Sequence, residues 1–469
     1  MVPQRRAPRT NQQHSARSEE AQQVISKIEN LSHWAAGLTS QSIPDSVRSR
    51  GVTVLTDDIA AMAAGATIPE VSAVHRALGA RPGEHEATVV CAEISRIRRE
   101  QAAFANAVAA NWCELDEGYR PIACHGGLYT IPTVMAEAEA TGASVGSVLD
   151  AIIVGYETAA RFAGAFRRPD SLLHPHAGIS AIGATAALAH LRGMPGEMRA
   201  SSIGAAATMS APGPWTHATA GLQIRNAWAG HGAMTAFLSL TAVQAGLHGS
   251  SNGVYEVFHD VLGSEVEHDQ LDHALGSYWA VTEGYHKLYA CCQYAHAAVH
   301  AALDIRVKGL PANWSRNTER IEVATHPLAL RLSNCEPTTD LAARFSVPHA
   351  VAVALFHGHA HTTAFSMQRV NDPEVARLRR AVRLSLIEPL PPPPMDRPAT
   401  VSVVLNNGRR FSSNCDSAPG SPTRPLKSDD ILAKTAEALK ERHKGMMNLL
   451  KRMSRLEPEV LSQAWKIPV

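Results

Sequence analysis

Residues 106–127 read NAVAANWCELDEGYRPIACHGG. Three carboxylates, Glu114, Asp116 and Glu117, end a run of small apolar residues. After a turn over 118–121 comes Cys124-His125-Gly126-Gly127, and then the apolar residues Leu128, Ile131, Val134 and Met135. The cluster is thus delivered at the junction of two buried helices, where charge is costly unless paired or used. A histidine beside a carboxylate gains basicity and a fixed orientation, as a general base needs. The same residues could form an acidic helix end with a capping turn. Acids at a helix C-terminus oppose the dipole, which favours the chemical reading.

Three other groups could carry chemistry. His174-Pro175-His176 precedes a small-residue helix over 177–191. It reads either as a cap or as a histidine beside an anion-attracting helix N-terminus. Lys287, within YHKLYACC (285–292), could clamp an anion at a domain boundary, where ligand clefts form. Cys291, Cys292 and His296 lack zinc-ligand spacing and have no second cysteine pair, so no metal is expected there. His296 and His300 share a face with Ala and Val and read as packing. His357, His359 and His361 read as a solvated loop rather than a ligand strand. There is no phosphate loop, dinucleotide fingerprint or nucleophile elbow.

These groups need a scaffold. From about Ser18 to Gly284 the pattern is helical and rich in Ala, Gly and Ser, which lets helices cross closely. Val148, Leu149, Ile152, Ile153, Tyr156, Ala160 and Ala163 follow helical spacing, with Ser147 as the expected cap. Beyond Gly284, RIEVAT (320–325) and VRLSLI (382–387) alternate as strands, and 347–356 reads as a helix. Asn406-Asn407-Gly408 marks a hairpin between 400–405 and 409–412. PLPPPP (389–394) reads as a stiff, extended connector. The expected fold class is mainly α: an all-helical domain over 19–284, completed by 413–469, with an α/β lid over 285–412. Residues 1–18 hold four Arg and no acid, and read as a disordered tail rather than an organelle transit peptide.

Among 469 residues, 44 are basic and 43 acidic, so neither nucleic acid nor an anionic membrane is an expected partner. The charge-free stretches 200–224 and 227–255 are broken by Pro, Gly and polar residues, and read as core rather than as membrane spans. Seven scattered cysteines suit a reducing, cytoplasmic setting.

The order of these segments resembles the MmgE/PrpD family, which includes 2-methylcitrate dehydratase, cis-aconitate decarboxylase and iminodisuccinate epimerase. The resemblance covers roughly 20–460. It rests on 106–127, AEAEATGASVGSVLDAIIVGYETAAR (136–161), His174-Pro175, 226–249, Lys287 with Cys291-Cys292 and His296, and FSVPHAVAVALFHG (345–358). It implies a homodimer with a cofactor-free cleft between the domains, acting beside a carboxylate of a small di- or tricarboxylic acid. His125, His174 and Lys287 fall on family site positions. Glu114 stands for an aspartate, Gly118 for a threonine, Ala220 for a lysine and Leu330 for a tyrosine. Cys292 is His in some members and Cys in others. The losses at Ala220 and Leu330 argue against strict cis-aconitate decarboxylation.

The mechanism so implied has His125 and His174 as acid and base, Glu114 orienting one of them, and Lys287 clamping a carboxylate from the lid. Asp116, His217 and Cys292 are the remaining substrate-binding candidates. Dehydration of an alkylcitrate-like acid is the expected reaction. Epimerisation by proton transfer, decarboxylation and a non-catalytic relative are the alternatives.

Overall fold

The computed structural model describes residues 11–468, apart from 81–82, 94–95, 168–171, 211 and 441. Its helices run Asn11–Gly37, Asp45–Gly65, Arg99–Trp112, Gly126–Thr141, Val145–Ala165, Pro175–Leu191, Gly196–Met209 and Trp228–Gln244, among shorter ones. They bury two apolar clusters, a large one that runs on into the lid and a smaller one among Arg99–Trp112, Pro175–Leu191 and Trp228–Gln244. Small residues set the spacing: a Cβ on Gly155 would fall 2.6 Å from Ala187 Cβ and 2.8 Å from the Gly183 carbonyl oxygen. Helices Val145–Ala165 and Pro175–Leu191 can therefore touch backbone to backbone.

The cap of Val145–Ala165 is Ser144, whose hydroxyl accepts from the Ser147 backbone N–H; Ser147 lies in the first turn and is not the cap. The first helix begins at Asn11, so 11–18 belong to it rather than to a tail, while 1–10 lie outside the described residues. The helical half also contains two-residue strands, too short for alternation to show. One of them, Gly118–Tyr119, pairs with Gly284–Tyr285 and joins the acidic segment to the chain that leads into the lid.

The lid is a four-stranded sheet with helices on it. Its strands are β1 (Thr318–Thr325), β2 (Val382–Leu386), β3 (Ala399–Leu405) and β4 (Arg410–Cys415). The order is β4-β3-β1-β2, with β1 and β2 parallel and the other pairs antiparallel. The hairpin falls at Asn406–Gly408 as its turn residues require. Helices His296–Lys308 and Val347–His357 complete the unit. The proline-rich connector bends at 388–389 and turns at 393–394 instead of running straight. That turn brings Pro394 and Asp396 onto Arg120 of the helical body.

The chain then returns. Helix Ser428–Leu439 lies on Asp45–Gly65, where the Thr435 hydroxyl bonds the Thr56 carbonyl and Lys434 reaches Asp57 at 2.6 Å. Further on, the Val145 N–H donates to Gln463 and the Trp465 N–H to Ala143. No single helix among the described residues is long and apolar enough to cross a membrane. All seven cysteines are free.

Candidate active site

Helix Arg99–Trp112 stops two residues before Glu114, which adopts a φ of +51°. That conformation is uncommon without glycine and is typical of constrained functional positions. It turns the acidic segment back under the cavity between helical body and lid. Glu114, His125, His174 and Arg225 line that cavity from the body; Tyr285, Lys287, Cys292 and Arg397 line it from the 284–412 side. The space is about 30 Å³, room for roughly one water, so the reacting groups are closed upon one another.

The Lys287 ammonium is fully buried, 3.1 Å from Glu114 Oε2 and 3.3 Å from Asp116 Oδ1. Arg225 lies 2.5 Å from Glu114 Oε1, donates to Asn111 Oδ1 at 2.7 Å, and stacks on Phe345. Burial disfavours ionisation of Glu114, but Arg225 and Lys287 outweigh it and hold the carboxyl below its ordinary value. Asp116 is held down in the same way by Lys287 and His125. Burial alone would lower Lys287; the two carboxylates raise it, and it stays charged.

His125 is oriented by its own segment. Its Nδ1 lies 2.7 Å from the Glu117 carbonyl oxygen and 2.6 Å from Asp116 Oδ2. A carbonyl only accepts, so Nδ1 carries a proton; in the neutral ring the lone pair then sits on Nε2, the tautomer a base requires. Asp116, and not Glu114, is therefore the carboxylate that serves a histidine.

His174 caps helix Pro175–Leu191, with Nδ1 3.3 Å from the His176 N–H and Nε2 3.1 Å from Arg225. A neutral ring has one acceptor nitrogen and can satisfy just one of these contacts fully. Burial first, and Arg225 second, push its pKa well below the ordinary histidine value. A protonated His174 is thus disfavoured, so of the two histidines it is unsuited to the acid role. It stacks on Trp215, ring centroids 5.0 Å apart.

Asp116, His125 and His176 each place a ligand-type atom within 4.8 Å of the others. Lys287 already supplies positive charge beside Asp116, and Nδ1 of His125 and of His176 is engaged by Glu117 and Tyr129. The group is better suited to moving protons than to holding a dication.

Two family models match the chain: the MmgE/PrpD N-terminal domain over residues 29–262 and the MmgE/PrpD C-terminal domain over 289–448. The chain belongs to the MmgE/PrpD family. A cis-aconitate decarboxylase of Aspergillus terreus is 26% identical over 390 residues, 76% of this chain and 78% of the relative. A cis-aconitate decarboxylase of Mus musculus is 27% identical over 357 residues, covering 72% and 71%. A cis-aconitate decarboxylase-like protein, oryM, of Aspergillus oryzae is 27% identical over 292 residues, 58% and 60%. These names place the chain with lyase-type members of its family.

A Cβ on Gly118 would stand 2.3 Å from the Tyr285 hydroxyl oxygen, so the missing threonine makes room for a phenol in the same wall. Ala220 ends a short helix and is exposed, while Arg225, five residues on, brings a cation into the cavity. Glu114, one methylene longer than aspartate, spans Arg225 and Lys287.

Leu330 lies outside the cavity lining, and its neighbour Arg331 packs over Trp215. His217 also lies outside the lining, stacked on Trp228. Cys292 lines the cavity as a thiol, burial pushing it up to about 11. Arg225, Arg397 and Tyr285 are among the cavity residues that sequence reasoning gave no role. Arg225 did leave a signal, as the single charged residue between 200 and 255.

Proposed function

We propose that the chain is a cofactor-free lyase acting on the carbon beside a carboxylate of a di- or tricarboxylic acid, removing water from an alkylcitrate-like substrate. The observation that carries this reading is His125, with Nδ1 committed to the Glu117 carbonyl and Nε2 available beside a cavity ringed by Arg225, Lys287 and Arg397. Nε2 takes the proton next to the carboxylate. The electron pair left behind forms the new C–C double bond as the C–O bond to the β-hydroxyl breaks. The Tyr285 phenol, its ring centroid 6.4 Å from that of His125, protonates the departing hydroxyl to water.

Arg397 suits the substrate carboxylate better than Lys287 does, because Lys287 is already bound by two acids. Among the described residues Arg397 forms no ion pair. Its guanidinium donates to Gln293 Oε1 and the Arg120 carbonyl, and Nε has no partner. Preplaced charge of this kind stabilises the developing enolate. His174, neutral, contributes hydrogen bonding to Arg225 or substrate.

The exposed apolar side chains Leu222, Ile224 and Leu238 support a homodimer. The names of the relatives favour a second reading, loss of CO₂ from a cis-aconitate-like acid. Incubation with 2-methylcitrate, citrate, cis-aconitate and iminodisuccinate, followed by mass spectrometry, tests both. Loss of water from 2-methylcitrate is expected. Loss of CO₂ instead would select the decarboxylase. Uptake of solvent deuterium without loss of water or CO₂ would select an epimerase, and no change in any of them would end the lyase reading.

A further inference from the structure

A second chamber of about 260 Å³ opens off the site, sharing Ala123, His174, Pro175, Trp215, Tyr294 and Arg397 with the inner cavity. Beyond that junction its walls are mainly apolar, with Ile122, Phe166, Ile179, Val257, Phe258 and Leu262 beside two serines, Ser210 and Ser264. Phe166 and Phe258 pack on each other at 5.2 Å between centroids. Among the described lining residues the cations are Arg397 and Arg331, which border both the chamber and the aromatic rings of Tyr294 and Trp215. A carboxylate at Arg397 would therefore have reacting groups on one side and an apolar room on the other. A di- or tricarboxylate with a methyl branch leaves that room almost empty. An apolar cavity of about 150 Å³ holds benzene. This one is large enough for a longer chain, on the order of six to ten carbons by the same scale.

We infer that the substrate carries an extended apolar substituent, held in this chamber while its carboxylates face Arg397 and His125. The inference rests on reading the inner cavity as a carboxylate site. Each buried methylene should tighten binding about fourfold until the chamber is full. The pocket then acts as a ruler for chain length.

The test uses 2-alkylsuccinates from methyl to decyl as probes, with affinity measured by calorimetry on the full chain. Affinity should climb with chain length and level off. Gly178→Leu, whose side chain would grow towards the Phe258 ring 3.4 Å from its Cβ, should flatten the series at shorter chains while leaving the methyl member unchanged. Val257→Trp, on the same wall, should do likewise, and binding of the methyl member reports that either variant is folded. Equal affinity for methyl and hexyl, rejection of hexyl, or no binding by any member overturns the inference. A dimer whose partner fills the chamber would also give the flat series. Alkylsuccinates have no hydroxyl to lose, so a rising series together with failed turnover of citrates would remove the dehydratase reading and leave the chamber's role standing.

Discussion

Four buried carboxyls lie around one turn of chain, and they fall into two opposite electrostatic states. In front, Glu114 and Asp116 are ionised against Lys287, Arg225 and His125. Behind them, Asp58 and Glu117 form no ion pair among the described residues. A side chain on Gly127 would stand 2.1 Å from Asp58 Oδ2 and 2.9 Å from Glu117 Oε1, so the two carboxyls crowd one glycine. Glu117 accepts from the Gly127 N–H and from the Tyr156 hydroxyl, and burial still pushes it up to about 8. Among the described residues Asp58 has no hydrogen-bond partner at either oxygen, and it is raised by burial and by Glu117. The nearby cation, Lys434, is taken by Asp57 together with His286. Adjacent positions 116 and 117 thus differ in charge because one faces the cations and the other faces away. The rear pair supplies rigid, uncharged support beneath an ionised front.

The sharpest way to break this picture is at the base. His125→Asn should lower kcat by about 10²–10⁴, the usual cost of losing an acid–base group, with the melting temperature little changed. Near-normal turnover would move the base elsewhere. Next in size is Lys287→Met. It leaves Glu114 and Asp116 short of a partner, and removal of one member of a buried pair costs about 3–5 kcal/mol. Denaturant unfolding should show that loss. Asp116→Asn in the same chain should recover part of it, because Glu114 keeps Arg225 while Asp116 loses the one permanent cation it touches among the described residues. If the double variant is no more stable than Lys287→Met, the front cluster is not the ion-paired unit described.

The sequence reveals the front of this arrangement and hides the rear. The acidic segment, His125, His174 and Lys287 stand out because charged residues interrupt apolar helices, and their order carries the family resemblance. The lid strands are legible from alternation, and their hairpin from Asn-Gly. Tyr285 is hidden by its geometry, since only the structure shows its hydroxyl in the space beside Gly118. Arg397 follows the proline-rich connector, whose bends place it in the site and which reads as straight from composition. Arg225 was visible as a lone charge, but its direction depends on a short 3₁₀ helix at 223–227. The rear pair had a signal too: Asp57-Asp58 lies inside an apolar helix, two charges at consecutive positions that point different ways around its axis.

The last test probes that rear pair and concerns pH rather than rate. A carboxyl whose folded-state pKa is raised binds a proton in the native state that the unfolded chain has already released. Glu117 titrates near 4.3 when unfolded and at about 8 when folded. Native stability should therefore fall as pH rises through that window, by at most about 1.4 kcal/mol per pH unit for one proton. Glu117→Gln keeps an acceptor for the Gly127 N–H and cannot ionise. Its stability curve should run flatter, so that its advantage over the native chain grows from pH 5 to pH 8 and then levels off. Chemical unfolding at a series of pH values reads this directly. Parallel curves would mean that Glu117 is ionised in the native state, and the contrast between front and rear would then rest on Asp58 alone.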